Sequence, residues 1–157
     1  MNTIERFIKR AFDFSLALIS LLVFSPLIAL IALLIKWEDP KGDVIYKQER
    51  IGYKGRPFIL YKFRSMRMDA EANNSPQLFT DGDSRLTKVG AFIRAHHLDE
   101  FPQLWNVIKG EMSFVGPRPE RQFFIDQIME HNPDYTRLYA VRPGLFSYAT
   151  LYNGYTD

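Results

Sequence analysis

From Phe14 to Ile35 the chain runs 22 residues without a charge, while charged and polar residues are interspersed on both sides. As a straight helix this block reaches about 33 Å, close to the thickness of a bilayer core. A helix apolar on every side needs an apolar medium all round, so a membrane segment outranks the core helix of a soluble domain. A signal peptide fits poorly, because the block is too long and no small-x-small cleavage site follows it.

Ser25-Pro26 interrupts the block near its middle. Pro26 removes a backbone hydrogen bond and pushes its ring against the carbonyl of Leu22. The Ser25 hydroxyl can serve the freed backbone groups, as in other membrane helices that tolerate a break. Neither half spans a bilayer alone, each reaching about 15–18 Å. Arg6, Lys9 and Arg10 precede the block, and Lys36, Lys41, Lys47 and Arg50 follow it. Basic flanks on both sides favour a helix that enters and leaves on one side. Glu38 and Asp39 dilute the second flank, and a kinked single span also satisfies the pattern.

Beyond the block, Asp39-Pro40-Lys41-Gly42-Asp43 reads as a turn. Val44-Ile45-Tyr46 and Phe58-Ile59-Leu60-Tyr61 enclose Gly52-Tyr53-Lys54-Gly55 and predict a β-hairpin. Asp69 to Ser84 is polar and predicts a surface loop. Helices are expected over Thr87–Ala95, with Val89, Phe92 and Ile93 on one face, and over Phe101–Lys109, with Phe101, Leu104, Trp105 and Ile108 facing inward. Pro102 suits the start of the second and Gly110 its end. Gln122–His131 is a further helical stretch, closed by Asn132-Pro133. The fold class is α+β: residues 1–38 form an amphipathic lead-in and a membrane helix broken at Ser25-Pro26, and residues 39–157 a small, mostly helical domain with a β-hairpin. With no second apolar block after Ile35, that domain is expected on one membrane face, the cytoplasmic one.

Charge narrows the partners. Lys+Arg 20 against Asp+Glu 18 leaves +2, so no field calls for nucleic acid. Cysteine is absent, which excludes a disulfide framework and thiolate metal sites.

The densest chemistry lies in Arg94-Ala95-His96-His97-Leu98-Asp99-Glu100-Phe101-Pro102-Gln103. Asp99 and Glu100 have a purely structural reading, as N-cap and first-turn acid of the following helix. Their functional reading is an ionised nucleophile or a Mg²⁺ ligand pair at a helix end. His96 and Glu100, four apart, would suit zinc only on an unbroken helix. Gly116-Pro117-Arg118-Pro119 and Arg142-Pro143-Gly144 hold arginines on stiff loops, and Lys62-Phe63-Arg64 places two cations on one strand face. Such guanidinium groups suit phosphate oxygens, although any single one is equally at home as a solvated surface charge. A membrane foot, paired carboxylates and held cations together suggest phosphoryl chemistry at a bilayer surface.

In order along the chain, Lys9-Arg10-Ala11-Phe12-Asp13, Ser25-Pro26, Tyr46 to Phe58, Lys62-Phe63-Arg64-Ser65-Met66, Thr87-Lys88-Val89-Gly90, Arg94, Leu98 to Leu104, Asn106 to Gly110, Met112-Ser113 and Gly116-Pro117-Arg118-Pro119 resemble the monotopic phosphoglycosyl transferases, a bacterial sugar transferase family. The resemblance covers nearly the whole chain. It implies transfer of a sugar-1-phosphate from a UDP-sugar to polyprenol phosphate with release of UMP, the first membrane step of glycan assembly. It also implies a re-entrant helix at the cytoplasmic face of the bacterial inner membrane, in contact with lipid, and leaves a homo-oligomer open. Asp99 is implied as the nucleophile that carries the phosphosugar, Glu100 as its partner at the metal or acceptor proton, and Mg²⁺ as the cofactor held by both. Arg94, Arg118, Lys62 and Arg64 are implied as phosphate contacts.

The sequence departs from the family at Phe146-Ser147-Tyr148, where threonine-glycine and a tryptophan are common, and at His96-His97. Several dozen C-terminal residues expected from the family do not follow Asp157, so a shortened chain is expected. Two rival readings remain at this level: a non-catalytic membrane-tethered adaptor of glycan assembly, and a His/Asp/Glu zinc hydrolase.

Overall fold

A computed structural model describes residues 2–70 and 83–147. Helix α1 runs from Thr3 to Glu38, opened by a capping box in which the Asn2 side chain accepts from Glu5 N–H and the Glu5 carboxylate accepts from Asn2 N–H. The helix continues through Pro26 rather than ending there. Ser25 Oγ donates to the Leu22 carbonyl at 2.8 Å, the acceptor that Pro26 cannot serve. The expected break is therefore bridged: the hydroxyl supplies locally the bond that the proline ring removes.

The Asx turn at Asp39, whose Oδ1 accepts from Lys41 and Gly42 N–H, leads into an antiparallel hairpin of β1 (Ile45–Ile51) and β2 (Pro57–Phe63). Ile45 pairs with Phe63 and Ile51 with Pro57. Lys54 and Gly55 take positive φ between the strands, which lets the chain reverse over Gly52–Arg56. Helix α2 (Lys88–Ala95) starts at Thr87, whose Oγ1 accepts from Gly90 N–H. A 3-10 turn over Leu98–Glu100 precedes α3 (Gln103–Lys109), which Gly110 closes at φ 84°. Then follow β3 (Ser113–Val115), α4 (Gln122–His131), a 3-10 segment over Pro133–Ala140 and β4 (Gly144–Phe146).

Strands β3 and β4 form a short parallel pair, Ser113 with Gly144 and Val115 with Phe146. Three-residue strands carry too little alternation to be read from sequence, and this pair was not expected. The polar stretch predicted as a loop after Asp69 lies mostly outside the described residues.

The core has two apolar clusters that divide α1 at Ser25-Pro26. Ala17 and Leu21 join Phe58, Leu60, Leu104, Val107 and Met112 in one. Leu27, Ile28, Ile31, Ala32 and Ile35 join Phe63 and Ile93 in the other, and Phe101 touches both. The inward face of α3 differs from the expected one: Leu104, Asn106 and Val107 are buried, whereas Trp105 is exposed. Asn106 is drawn in by polar bonds to β2, and the helix rotates accordingly.

The rest of α1 stays uncovered. Phe7, Phe12, Leu22, Leu33 and Trp37 are among its exposed apolar side chains, and only 11% of its most apolar 18-residue stretch is buried by the protein. That is far too little for the core helix of a soluble domain and is consistent with membrane association.

Gly90 sets the spacing between α2 and the strand exit. A Cβ there would overlap the Ser65 carbonyl, which itself accepts from Thr87 N–H. Gly90→Ala is expected to destabilise the fold by about 3 kcal/mol, read as a lowered midpoint in thermal unfolding of the detergent-solubilised protein.

Candidate active site at the turn between α2 and α3

Helix α2 ends at Ala95, and His97 adopts a left-handed conformation (φ 54°) that redirects the chain into the Leu98–Glu100 turn. His96 folds back, its Nδ1 2.9 Å from the Phe92 carbonyl and its ring on that of Phe92. The helix break thus separates His96 from Glu100, and among the described residues no group of three or more His, Asp or Glu gathers for a metal. The zinc arrangement is not formed. Nor does Asp99 cap α3, which begins four residues later behind Pro102.

Asp99 is 4% exposed, and Glu100 beside it accepts from Lys62 Nζ at 3.0 Å. Burial pushes the Asp99 carboxyl above the usual carboxylate range; Lys62 pulls it back, Glu100 pushes it further up and Arg94 again favours the charged form. Arg94, in the last turn of α2, is half-buried. Asp99, Glu100, Lys62 and Arg94 are therefore one electrostatic unit built by α2, the turn and β2.

Next to this unit opens a shallow cleft, lined by Lys62, Glu100 and Gln103 and by Arg50, Arg118 and Pro119. Three cations and one acid line it, which favours an anionic ligand. Proline-bounded Arg118 is one of the lining residues, and its Nε lies 3.5 Å from Glu120 Oε1. The same arginine borders a second cleft with Tyr135 and Tyr139.

Arg50 was read only as flanking charge. It donates to the Pro119 carbonyl at 2.9 Å and to Glu120 Oε2 at 3.2 Å, so it holds the Arg118 loop while facing the cleft. Buried Gln103 and Ser147 also line the cleft. A basic residue on a strand carries no local sign of such a role; its place at the end of β1 does.

Arg64 parts from Lys62. β2 ends at Phe63, and the Arg64 guanidinium turns to the Asp39 carboxylate at the exit of α1, under Gly42, where a Cβ would collide with it. Arg64 does not line the cleft, so the expectation of two cations on one strand face is corrected: the strand stops between them.

Losing Lys62 leaves Glu100 without this cationic partner in a half-buried site. Lys62→Met is expected to lower kcat/KM for an anionic substrate by roughly ten- to a hundredfold, with steady-state kinetics as the measurement.

A buried carboxylate beside a cationic cleft, set against an apolar helix, suits group transfer between anionic substrates at a membrane surface. Sequence comparison narrows this class. A profile described as "Bacterial sugar transferase" matches residues 4–157. A putative undecaprenyl-phosphate N-acetylgalactosaminyl 1-phosphate transferase of Bacillus subtilis (strain 168) is 48% identical over 130 residues, covering 83% of this chain and 72% of that protein. A UDP-N-acetylgalactosamine-undecaprenyl-phosphate N-acetylgalactosaminephosphotransferase of Aeromonas hydrophila is 45% identical over 98% of this chain. A UDP-glucose:undecaprenyl-phosphate glucose-1-phosphate transferase of Escherichia coli (strain K12) is 40% identical over 100% of this chain. This chain spans 36% and 34% of the length of the last two. The protein belongs to the bacterial sugar transferase family.

Proposed function

We propose that the protein transfers a sugar-1-phosphate from a UDP-sugar to polyprenol phosphate and releases UMP. The observation that carries this reading is the buried Asp99 beside the Lys62–Glu100 pair and the Arg50/Arg118 cleft; the names of the relatives supply the substrate classes. Ionised Asp99 attacks the sugar-bearing phosphorus, the bond from that phosphorus to the bridging oxygen breaks, and UMP leaves with that oxygen. A phosphate oxygen of the polyprenol phosphate then attacks the same phosphorus, the bond to Asp99 breaks, and the carboxylate is regenerated. Arg118 and Arg50 hold the diphosphate oxygens, and Lys62 orients Glu100 toward the reacting groups.

Asp99 and Glu100 fit Mg²⁺, which takes one or two protein carboxylates and completes its shell with substrate phosphates and water. When bound, Mg²⁺ neutralises charge on the diphosphate and on the departing UMP.

For topology, we read α1 as re-entrant from the cytoplasmic face of the inner membrane. Both polar ends of the helix bond to the same domain: Arg10 reaches α3, and Glu38 reaches α2. A full crossing would pull one of these ends away. A cysteine label placed before Arg6 should react from the cytoplasmic side, and periplasmic labelling would refute re-entry.

The reaction is tested by UMP release from protein in nanodiscs with Mg²⁺, polyprenol phosphate and a panel of UDP-sugars that includes UDP-N-acetylgalactosamine and UDP-glucose. Release with one donor supports the reading and names the sugar. Silence across the panel counts against it.

A further inference from the structure

Asp99 and Glu100 sit at the centre of one continuous stretch, α2, turn and α3, whose two outer ends are both held by α1. At the N-terminal end of α2, the Glu38 carboxylate accepts from Lys88 N–H at 2.7 Å and from Val89 N–H at 3.0 Å. At the C-terminal end of α3, the Arg10 guanidinium donates to the carbonyls of Val107 and Ile108. An acid meets the positive end of one helix and a base the negative end of the other, so each contact is charge-assisted and matched to the helix dipole.

The middle is fixed as well. Phe24, next to Ser25-Pro26, packs its ring against Phe101, the residue after Glu100, with centroids 5.2 Å apart. A buried cluster locks the Arg10 end in place: Asp13 is 3% exposed and accepts from Lys9 Nζ and from Ser113 Oγ at 2.8 Å. At the other end, Arg64 grips Asp39, the residue after Glu38. Helix ends at a surface are commonly capped by neighbouring residues or water. Here partners distant in sequence, both from the apolar helix, close the two ends of the stretch that carries the carboxylates.

We propose that Arg10 and Glu38 are positioning residues: α1 acts as a splint across α2, the turn and α3, and its two end contacts set the geometry of Asp99 and Glu100. The kinetic part of this proposal rests on the reading of that pair as the reacting groups. The mechanical part does not, since it concerns only what holds the turn.

The test uses Arg10→Ala, Arg10→Lys and Glu38→Gln in nanodiscs, with Asp99→Asn alongside. In Arg10→Ala and Glu38→Gln, kcat is expected to fall roughly tenfold or more while KM for the UDP-sugar stays within about twofold, and Arg10→Lys should recover part of the loss. Hydrogen–deuterium exchange supplies a readout independent of activity. Peptides covering residues 98–104 should exchange faster in both variants, with the hairpin over residues 45–63 unchanged. Faster exchange of the hairpin to the same degree would mean general loosening and overturn the proposal. Unchanged exchange over 98–104, or a rise in KM at constant kcat, would overturn it too. If Asp99→Asn kept full activity while the exchange changed as expected, the splint would stand and the assignment of the nucleophile would fall.

Discussion

Asp99→Asn is expected to lower UMP release at least about a thousandfold while leaving the protein as stable as, or more stable than, the parent. Both halves follow from the same burial. The amide cannot attack phosphorus, so the phosphosugar-enzyme does not form. The carboxyl, in turn, sits above its ordinary range chiefly because burial penalises its charged form. A carboxyl whose folded pKa is raised stabilises the fold while protonated, and that contribution is lost as pH rises through the folded value. At neutral pH the ionised group therefore opposes folding, and the neutral amide removes the penalty. Thermal unfolding at neutral pH should place the variant at or above the parent, and the gap should narrow as pH falls. Activity runs the other way, dropping at low pH as Asp99 is protonated, because only the ionised carboxylate attacks phosphorus. A variant that is inactive because it is unfolded would fail the first measurement, and a normal rate would sink the nucleophile assignment.

Asn106→Leu is expected to destabilise the fold by about 3–5 kcal/mol, a large share of the stability of a small domain. Asn106 is 0% exposed. Its Nδ2 donates to the Ile59 carbonyl at 2.6 Å and to Glu111 Oε2 at 2.7 Å, and its Oδ1 accepts from Tyr61 N–H at 3.1 Å. β2 is paired with β1 along one edge, and the Asn106 amide substitutes for a strand on the other. Leucine has a similar volume but leaves the part-buried Ile59 C=O and Tyr61 N–H without this partner, which is the costly half of a lost hydrogen bond. Denaturant unfolding in detergent would measure the loss; a change below about 1 kcal/mol would show that water replaces the amide. The same bonds fix α3 against the strand that carries Lys62, so the Lys62–Glu100 pair should loosen in the variant.

The two substitutions also mark how far the sequence could be read. Adjacent acids ahead of Pro102 stood out as candidate chemistry because both readings of them, capping and catalysis, require a helix nearby. The fold removes the capping reading: α3 starts behind Pro102, and His97 turns the chain so that Asp99 is buried. Asn106 offered no such signal. A polar residue lying off the expected apolar face of Phe101, Leu104, Trp105 and Ile108 looks like an ordinary surface position until the edge of β2 is placed against it.

Length and hydrophobic pattern by themselves determined the apolar helix, the hairpin and the three later helices, because these depend on local spacing and on glycine at Gly110, whereas the break expected at Ser25-Pro26 was bridged by the serine hydroxyl. Ordered motifs also sufficed to place the chain among the bacterial sugar transferases. Tertiary structure alone decided that Arg64 serves Asp39 rather than the cleft, that Arg50 joins Arg118, that β3 pairs with β4, and that Arg10 and Glu38 close the stretch around Asp99. Each of these joins residues far apart in the chain, and a long-range pair leaves no trace in local periodicity. Its partners are fixed by packing.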